Sequence, residues 1–256
     1  MAERRATDNS RGTCIFRGRV IALALLMVAA QPAWAGPPFQ SDDPQPTDYQ
    51  HFEIYAFTKG VTGEAGQSGQ SGIDFNYGAA PDLQLTAVLP YGFNNPTSDV
   101  ATSGVSNIEL AAKYRFLHQD TFGVDVSVFP RVFLPSPSSV GDAQSSLLLP
   151  LWVQKDWGDI SAFGGGGCQF TISGGARHSC IVGGTITKQF LPKLQLGAEI
   201  FHQTSDGITL PSTSLGAGGR YDIDEHYHLL GYVAHGLQNV SETGSFSWYA
   251  AVLFTF

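Results

Sequence analysis

From Asp48 onward the sequence divides into segments of about ten to thirteen residues in which apolar side chains alternate with polar or small ones. In one of them Leu110 and Tyr114 share one face, while Glu109 and Lys113 share the other. A period of two is typical of a β-strand whose faces meet different surroundings. Strands of soluble proteins centre on about five or six residues, whereas membrane-spanning strands need about 9–11. The alternation therefore predicts an all-β chain with strands long enough to cross a membrane.

The alternating segments predict twelve strands, and the gaps between them follow a pattern of their own. Gaps after even-numbered strands are tight, as at residues 80–82, and gaps after odd-numbered strands are longer, as at 92–105 and 135–144. Transmembrane β-barrels have short turns on the periplasmic side and long loops outside, so an even strand count puts both ends of the barrel in the periplasm. The predicted strands are 48–60, 69–79, 83–91, 106–117, 121–134, 145–156, 159–172, 179–190, 194–204, 213–222, 226–237 and 244–256.

Composition narrows the fold further. Of the 256 residues only 14% are charged and 30 are Gly, whereas soluble domains carry about 25% charge. No segment after the N-terminal region holds the roughly 18 consecutive apolar residues of a spanning helix, so a closed β-barrel is the remaining way to cross a bilayer. We predict a transmembrane antiparallel up-and-down β-barrel over residues 48–256. The alternative is a soluble β-sandwich, for example a periplasmic binding protein.

The first 35 residues have the pattern of a secretory signal peptide. A basic leader with five Arg precedes the apolar run 20–30, and Ala33-Trp34-Ala35 supplies small residues before Gly36. We predict that residues 1–35 are cleaved and that residues 36–47 form a Pro-rich N-terminal arm in the periplasm. In that arm we expect Asp42 and Asp43 to be solvated.

Strand parity also predicts which polar side chains line the lumen. Facing charges of both signs across a wet bore select small solutes. Alternatively these side chains pair with one another and close the bore, which would make the protein a structural barrel without conductance. The predicted lumen-lining residues are Asp74, Asn76, Glu109, Lys113, Arg115, Asp125, Arg131, Glu199 and Arg220.

Cys168 and Cys180 lie symmetrically about Gly174, in the predicted hairpin between the seventh and eighth strands. In register they face each other, and the periplasmic route is oxidising. We expect a disulfide, worth about 3 kcal/mol in the chain-entropy model. Two unpaired thiols are the alternative.

An enzymatic alternative is a barrel lipid hydrolase. Barrel-type outer-membrane phospholipases and deacylases place a His and a Ser two residues apart on one strand, where base and nucleophile share a hydrogen bond. His202 and Thr204 have that spacing, but Thr stands in place of Ser. We favour a polar pair in the headgroup zone and no catalytic role. The sequence indicates neither a cofactor nor a metal site, and the net charge of −8 excludes a general nucleic-acid binder.

Several segments resemble one known family. The opening residues 36–44 (GPPFQSDDP) and 48–55 (DYQHFEIY), together with 196–204 (LGAEIFHQT), 225–230 (EHYHLL) and 249–256 (YAAVLFTF), are similar to the proteobacterial family named after the MetA pathway of phenol degradation. The resemblance implies an outer-membrane barrel that acts as a channel for small aromatic or hydrophobic compounds. The final Phe256 resembles the C-terminal signal of outer-membrane proteins, so the implied partners are outer-membrane lipids, the barrel assembly machinery and a small-molecule solute.

Overall fold

The structure, a computed structural model, describes residues 38–172 and 178–256. The predicted signal peptide, residues 1–35, lies outside the described residues. Within them, no helix has the length and apolar character needed to cross a membrane. The elements are β1 (Phe52–Gly63), β2 (Gly66–Ala80), β3 (Leu83–Pro96), β4 (Thr102–Val105), β5 (Ile108–Leu117), α1 (Gln119–Phe122), β6 (Asp125–Val128), β7 (Arg131–Leu134), β8 (Ser146–Trp157), β9 (Ile160–Thr171), β10 (His178–Leu191), β11 (Leu194–Gln203), β12 (Ser212–Asp222), β13 (Tyr227–Gly236), α2 (Val240–Thr243) and β14 (Phe246–Thr255).

The β-segments form one sheet that closes on itself. Neighbouring segments pair antiparallel, and β14 pairs with β1 to complete the ring. Both β4 and β5 pair with β3, so they are two parts of one interrupted strand. Likewise β6 and β7 both lie between β5 and β8. The prediction of a closed antiparallel barrel with twelve strands is confirmed.

The interruption between β6 and β7 falls at Pro130. Proline has no N–H to donate to the ladder, which confines it to edges, bulges and breaks. Its carbonyl still accepts a hydrogen bond from the Ala112 amide at 3.1 Å, and the side-chain alternation continues across the break. The predicted strand 121–134 was wrong at its start, because α1 and Gly123, at φ 79°, occupy the turn before β6.

The first hairpin is tighter than predicted. β1 and β2 extend to Gly63 and Gly66, so only residues 64–65 connect them. Gly66 has a φ of 129°, a backbone conformation that suits glycine in a tight turn. The expected long loop after the first strand was wrong, since residues 67–70 (QSGQ) are polar or small on both faces and conceal the alternation.

The barrel is apolar outside and polar inside. Leu89 and Ile200 point outward and are 59% and 55% exposed, whereas Glu109 and Lys113 point inward and are buried. At the short-turn end the Phe52 ring lies 4.6 Å from that of Tyr77 and 5.4 Å from that of Phe256, measured between centroids. Outward apolar rows flanked by aromatic rings are the surface that a membrane-spanning barrel presents to lipid.

Candidate functional site: the lumen

The N-terminal arm, residues 38–47, lies inside the barrel. Phe39 is 3% exposed and Asp42 is 1% exposed. The segment enters from the short-turn end, because β1 begins there, and occupies part of the lumen in the half nearest that end. The expectation that Asp42 is solvated was therefore wrong. The described part of the arm lies in the bore of the barrel, whereas we expected it in the periplasm.

Glu199 on β11 holds the tip of the arm. Its carboxylate accepts hydrogen bonds from the backbone amides of Gln40 at 3.1 Å and Ser41 at 2.5 Å. Glu199 is only 1% exposed, so water cannot take the place of these donors. A buried carboxylate without donors is costly, and each charge-assisted hydrogen bond contributes about 1.5–3 kcal/mol.

Lys113 on β5 holds the middle of the arm. Its Nζ donates to Asp42 Oδ1 at 2.9 Å, to the Asp43 carbonyl at 3.0 Å and to the Gln45 carbonyl at 3.3 Å. It also lies 4.9 Å from the centre of the Phe129 ring. Three oxygens of the arm thus satisfy all three ammonium protons of a lysine buried in the barrel wall.

Asp43 faces the enclosed lumen beside this cluster, with its carboxylate 3.8 Å from Lys113 Nζ. Desolvation inside the barrel raises the pKa of Asp43 to about 6, although the Lys113 charge opposes the shift and the Asp42 charge adds to it.

The base of the arm is tied to the short-turn end of the wall. The Gln45 side chain accepts a hydrogen bond from Arg115 and donates to Asp125 Oδ2 at 3.2 Å. Arg115 Nη2 also pairs with Asp82 Oδ1 at 2.8 Å. Charged side chains of both signs therefore pair around the arm at this end.

Two inward-facing glycines leave space for the arm. A Cβ on Gly183 would lie 2.2 Å from Ser41 Oγ, and a Cβ on Gly197 would lie 2.8 Å from Phe39 Cζ. Any larger residue at either position would collide with the docked segment. Parity places both glycines on the inner face, but nothing in the sequence indicates that they make room for the arm.

Beside and above the arm the lumen holds a cavity of about 730 Å³, which is lined by residues from the short-turn end, such as Gly158 and Gln195, to the long-loop end, such as Asn107. Its wall combines aromatic side chains with charged ones. The aromatic members are Phe39, Tyr55, Phe57, Phe129, Phe133, Phe163 and Tyr249, and the charged members include Lys59, Asp74, Glu109, Lys113, Arg131 and Arg220. This lining suits a solute with an apolar body and a polar group.

The charged part of the wall is internally paired. Arg131 Nε lies 2.6 Å from Glu109 Oε1, and both side chains are buried. Asp74 Oδ1 accepts a hydrogen bond from Asn76 at 2.9 Å. Lys59, which the sequence analysis missed, lies 5.5 Å from the centre of the Phe57 ring. Lys59 could have been predicted to face the lumen, because it lies two residues after the inward-facing Phe57. Two apolar residues on the inward face of β1 made that face look like the lipid-facing one.

All nine predicted lumen residues lie on the inner face, but they fall into two groups. Asp74, Asn76, Glu109, Lys113, Arg131 and Arg220 line the cavity. Arg115, Asp125 and Glu199 bind the arm, and Lys113 belongs to both groups because it also binds the arm. Arg220 is the most peripheral of the first group, with its Nε 2.8 Å from Asp222 Oδ1. A role of these residues in solute selection remains a prediction.

The pair proposed for hydrolysis is not assembled. His202 Nδ1 lies 2.8 Å from Thr213 Oγ1 on β12, and Thr204 Oγ1 accepts a hydrogen bond from the Cys180 amide at 2.8 Å. The histidine and the Thr204 hydroxyl thus have separate partners. Over residues 38–172 and 178–256 no three His, Cys, Asp or Glu side chains are grouped to hold a metal ion.

Cys168 and Cys180 face each other across β9 and β10 and are joined by a disulfide, with a Cα–Cα distance of 4.0 Å. The bond joins the two strands next to residues 173–177. These residues, which include Gly174, lie outside the described part of the chain.

Solved structures share this fold. An outer-membrane channel of the COG4313 type from Pseudomonas putida F1 superposes with a TM-score of 0.62 at 12% identity, covering 83% of this chain and 97% of that one. The KdgM porin superposes with a TM-score of 0.56 at 13% identity, covering 80% of this chain and 99% of that one. The NanC porin superposes with a TM-score of 0.55 at 8% identity, covering 79% of this chain and 98% of that one. No protein-family model and no curated protein matches the sequence. The chain therefore has the fold of twelve-stranded outer-membrane barrels.

Proposed function

We propose that this chain is a channel of the bacterial outer membrane that passes small solutes passively. The observation that carries the proposal is a cavity of about 730 Å³ enclosed by a barrel whose outer face is apolar. Three structures of the same fold are described as a channel or as porins, which supports transport over catalysis. KdgM has also been solved in complex with disordered oligogalacturonate, so a barrel of this size admits a polar organic solute.

The solute that we propose for this chain has an aromatic or hydrophobic body and at least one polar group. The aromatic rings of the wall contact the body, and the charged side chains opposite contact the polar group. This agrees with the resemblance to the phenol-degradation family. We further propose that residues 1–35 direct export and that the assembly machinery reads Phe256, which is 58% exposed at the short-turn end.

The arm sets the condition for passage. Its contacts with Glu199 and Lys113 hold it inside the lumen, where it narrows the route to the periplasmic side, so release of the arm widens the passage for a solute. A second candidate function, a structural barrel without conductance, is favoured by the binding of the arm inside the lumen.

Planar-bilayer recordings distinguish the two candidates. We expect discrete conductance steps from the native chain, and longer openings from Glu199→Gln, which keeps the shape of the side chain but removes the charge that binds two arm amides. Losing about 1.4 kcal/mol of docking energy raises the released fraction about tenfold. Glu242→Gln, in the exposed helix α2, is the matched control and should behave as the native chain does. A flat trace from both the native chain and Glu199→Gln, each correctly folded, would reject the channel and leave the structural barrel.

A further inference from the structure

The loop that joins β7 to β8, residues 135–145, folds back into the long-loop mouth of the barrel. Val140 and Asp142 on this loop line the same cavity that the arm lines from the other end. The cavity therefore has a second boundary, made by a segment outside the predicted lumen set.

The loop is bound to the wall where the fourth barrel strand is interrupted. Residues 106–107 separate β4 from β5, and the loop binds to Asn107 in this gap and to Val105 beside it. Ser136 Oγ and Ser138 Oγ donate to the Val105 carbonyl at 2.7 and 2.6 Å. Asn107 Oδ1 accepts a hydrogen bond from the Asp142 amide at 2.6 Å. Asn107 Nδ2 also donates to the Asp142 carbonyl at 3.4 Å, so four hydrogen bonds hold the loop against this gap.

The wall is also shaped to receive the loop. Gly92 and Gly104 are direct partners between β3 and β4. A Cβ on Gly92 would lie 3.1 Å from Val140 Cγ2, and a Cβ on Gly104 would lie 3.0 Å from Ser138 Cβ. A side chain at either glycine would crowd the loop and shift it by a few tenths of an ångström. The inward position is therefore built into the wall as well as into the loop.

We propose that residues 135–145 form the outer constriction of the channel, in which Val140 limits the size of the solute and Asp142 selects its charge. This inference rests on the proposed channel function. Asp142 is the only charged residue of the loop, and it stands at the entrance to the cavity. Its carboxylate favours cationic and neutral solutes over anions at the outer mouth.

The charge role is tested by the reversal potential across a KCl gradient. The native channel should prefer K⁺, and Asp142→Asn should lower the K⁺/Cl⁻ permeability ratio about two- to five-fold, the effect of one carboxylate at contact distance in a mostly aqueous mouth. Asp142→Lys should lower it further. Asp99→Lys, in the neighbouring long loop 97–101, is the matched control and should leave the ratio nearly unchanged. Equal ratios for all variants, or equal losses at Asp99 and Asp142, would overturn the assignment of Asp142.

The position of the loop is tested by a reversible lock. A Cβ on Gly92 would lie 3.5 Å from Val140 Cβ, within the spacing of about 3.5–4.5 Å that a disulfide requires. In the double variant Gly92→Cys/Val140→Cys, oxidation joins the loop to β3 by a disulfide. The oxidised and reduced forms should conduct equally, because the disulfide holds the loop in the position that it already has in the open channel. Replacing residues 136–142 with a short Gly-Ser turn should raise conductance and admit larger solutes.

Conductance that falls on oxidation and returns on reduction would overturn the proposal, because it would show that the loop leaves the mouth when the channel is open. The single variant Val140→Cys controls for reduction of the native disulfide. Failure of the proposed channel function would look different from failure of this inference, because the native chain and Glu199→Gln would then carry no current at all.

Discussion

We expect docking of the arm to depend on pH through Asp43. Its pKa is raised to about 6 in the docked arm, whereas an Asp in water titrates near 3.9. The docked state therefore binds the proton more tightly, and docking is strongest below the ordinary pKa and weakens as the pH rises through about 6. We expect longer closures at pH 5 than at pH 7.5 in single-channel records.

Asp43→Asn removes this titration and should flatten the dependence of closed time on pH between 5 and 7.5. Asp206→Asn, in the loop between β11 and β12, is a control that should retain it. A slope of the opposite sign in the native chain would contradict the role of Asp43.

His202 is a structural residue by its contacts, since its ring bonds to Thr213 on the adjacent strand. We expect His202→Ala to cost about 0.5–1.5 kcal/mol of stability, the net value of one hydrogen bond, visible as a lower urea midpoint. Lipid or ester hydrolysis by the purified chain should be at background level in both forms. Activity that the native chain shows and the variant loses would instead establish the hydrolase.

The β9–β10 hairpin is the element that the disulfide closes. We expect no alkylation of Cys168 and Cys180 before reduction and two labels after it, read as intact mass. Replacing both by Ser should lower stability by about 3 kcal/mol, because the open hairpin gains chain entropy. Two labels without reductant would show that the thiols are unpaired in the protein.

At the scale of the whole molecule, a membrane-spanning barrel predicts that a charged side chain on the lipid-facing side lowers stability more, the deeper it lies in the membrane. Val233 points outward near the middle of β13 and is 49% exposed, so Val233→Arg should cost about 2–4 kcal/mol in lipid vesicles. Leu237 is 58% exposed just beyond the end of β13, and Leu237→Arg should cost about 0–1 kcal/mol. Urea titration of vesicle-inserted protein measures both. Equal costs at the two positions would contradict a membrane-spanning β13.

The strand count and the two faces of each strand were determined by the sequence itself. A period of two is a local property, and side chains such as Glu109 and Leu110 must point in opposite directions in any extended strand. Pairing with the neighbouring strands then follows from tight turns such as residues 192–193, which connect β10 to β11. The full length of the first hairpin was not predicted, because residues 67–70 are polar or small on both faces of the strand.

The contents of the lumen were decided by the tertiary structure. The arm lies against Lys113 and Glu199, which are separated from their arm partners by 71 and 158 residues, and loop 135–145 lies against a glycine on β3. Such contacts leave no periodic trace, because they depend on which wall positions the closed ring brings opposite one another. Periodicity therefore determined the barrel wall, and closure of the ring determined what occupies it.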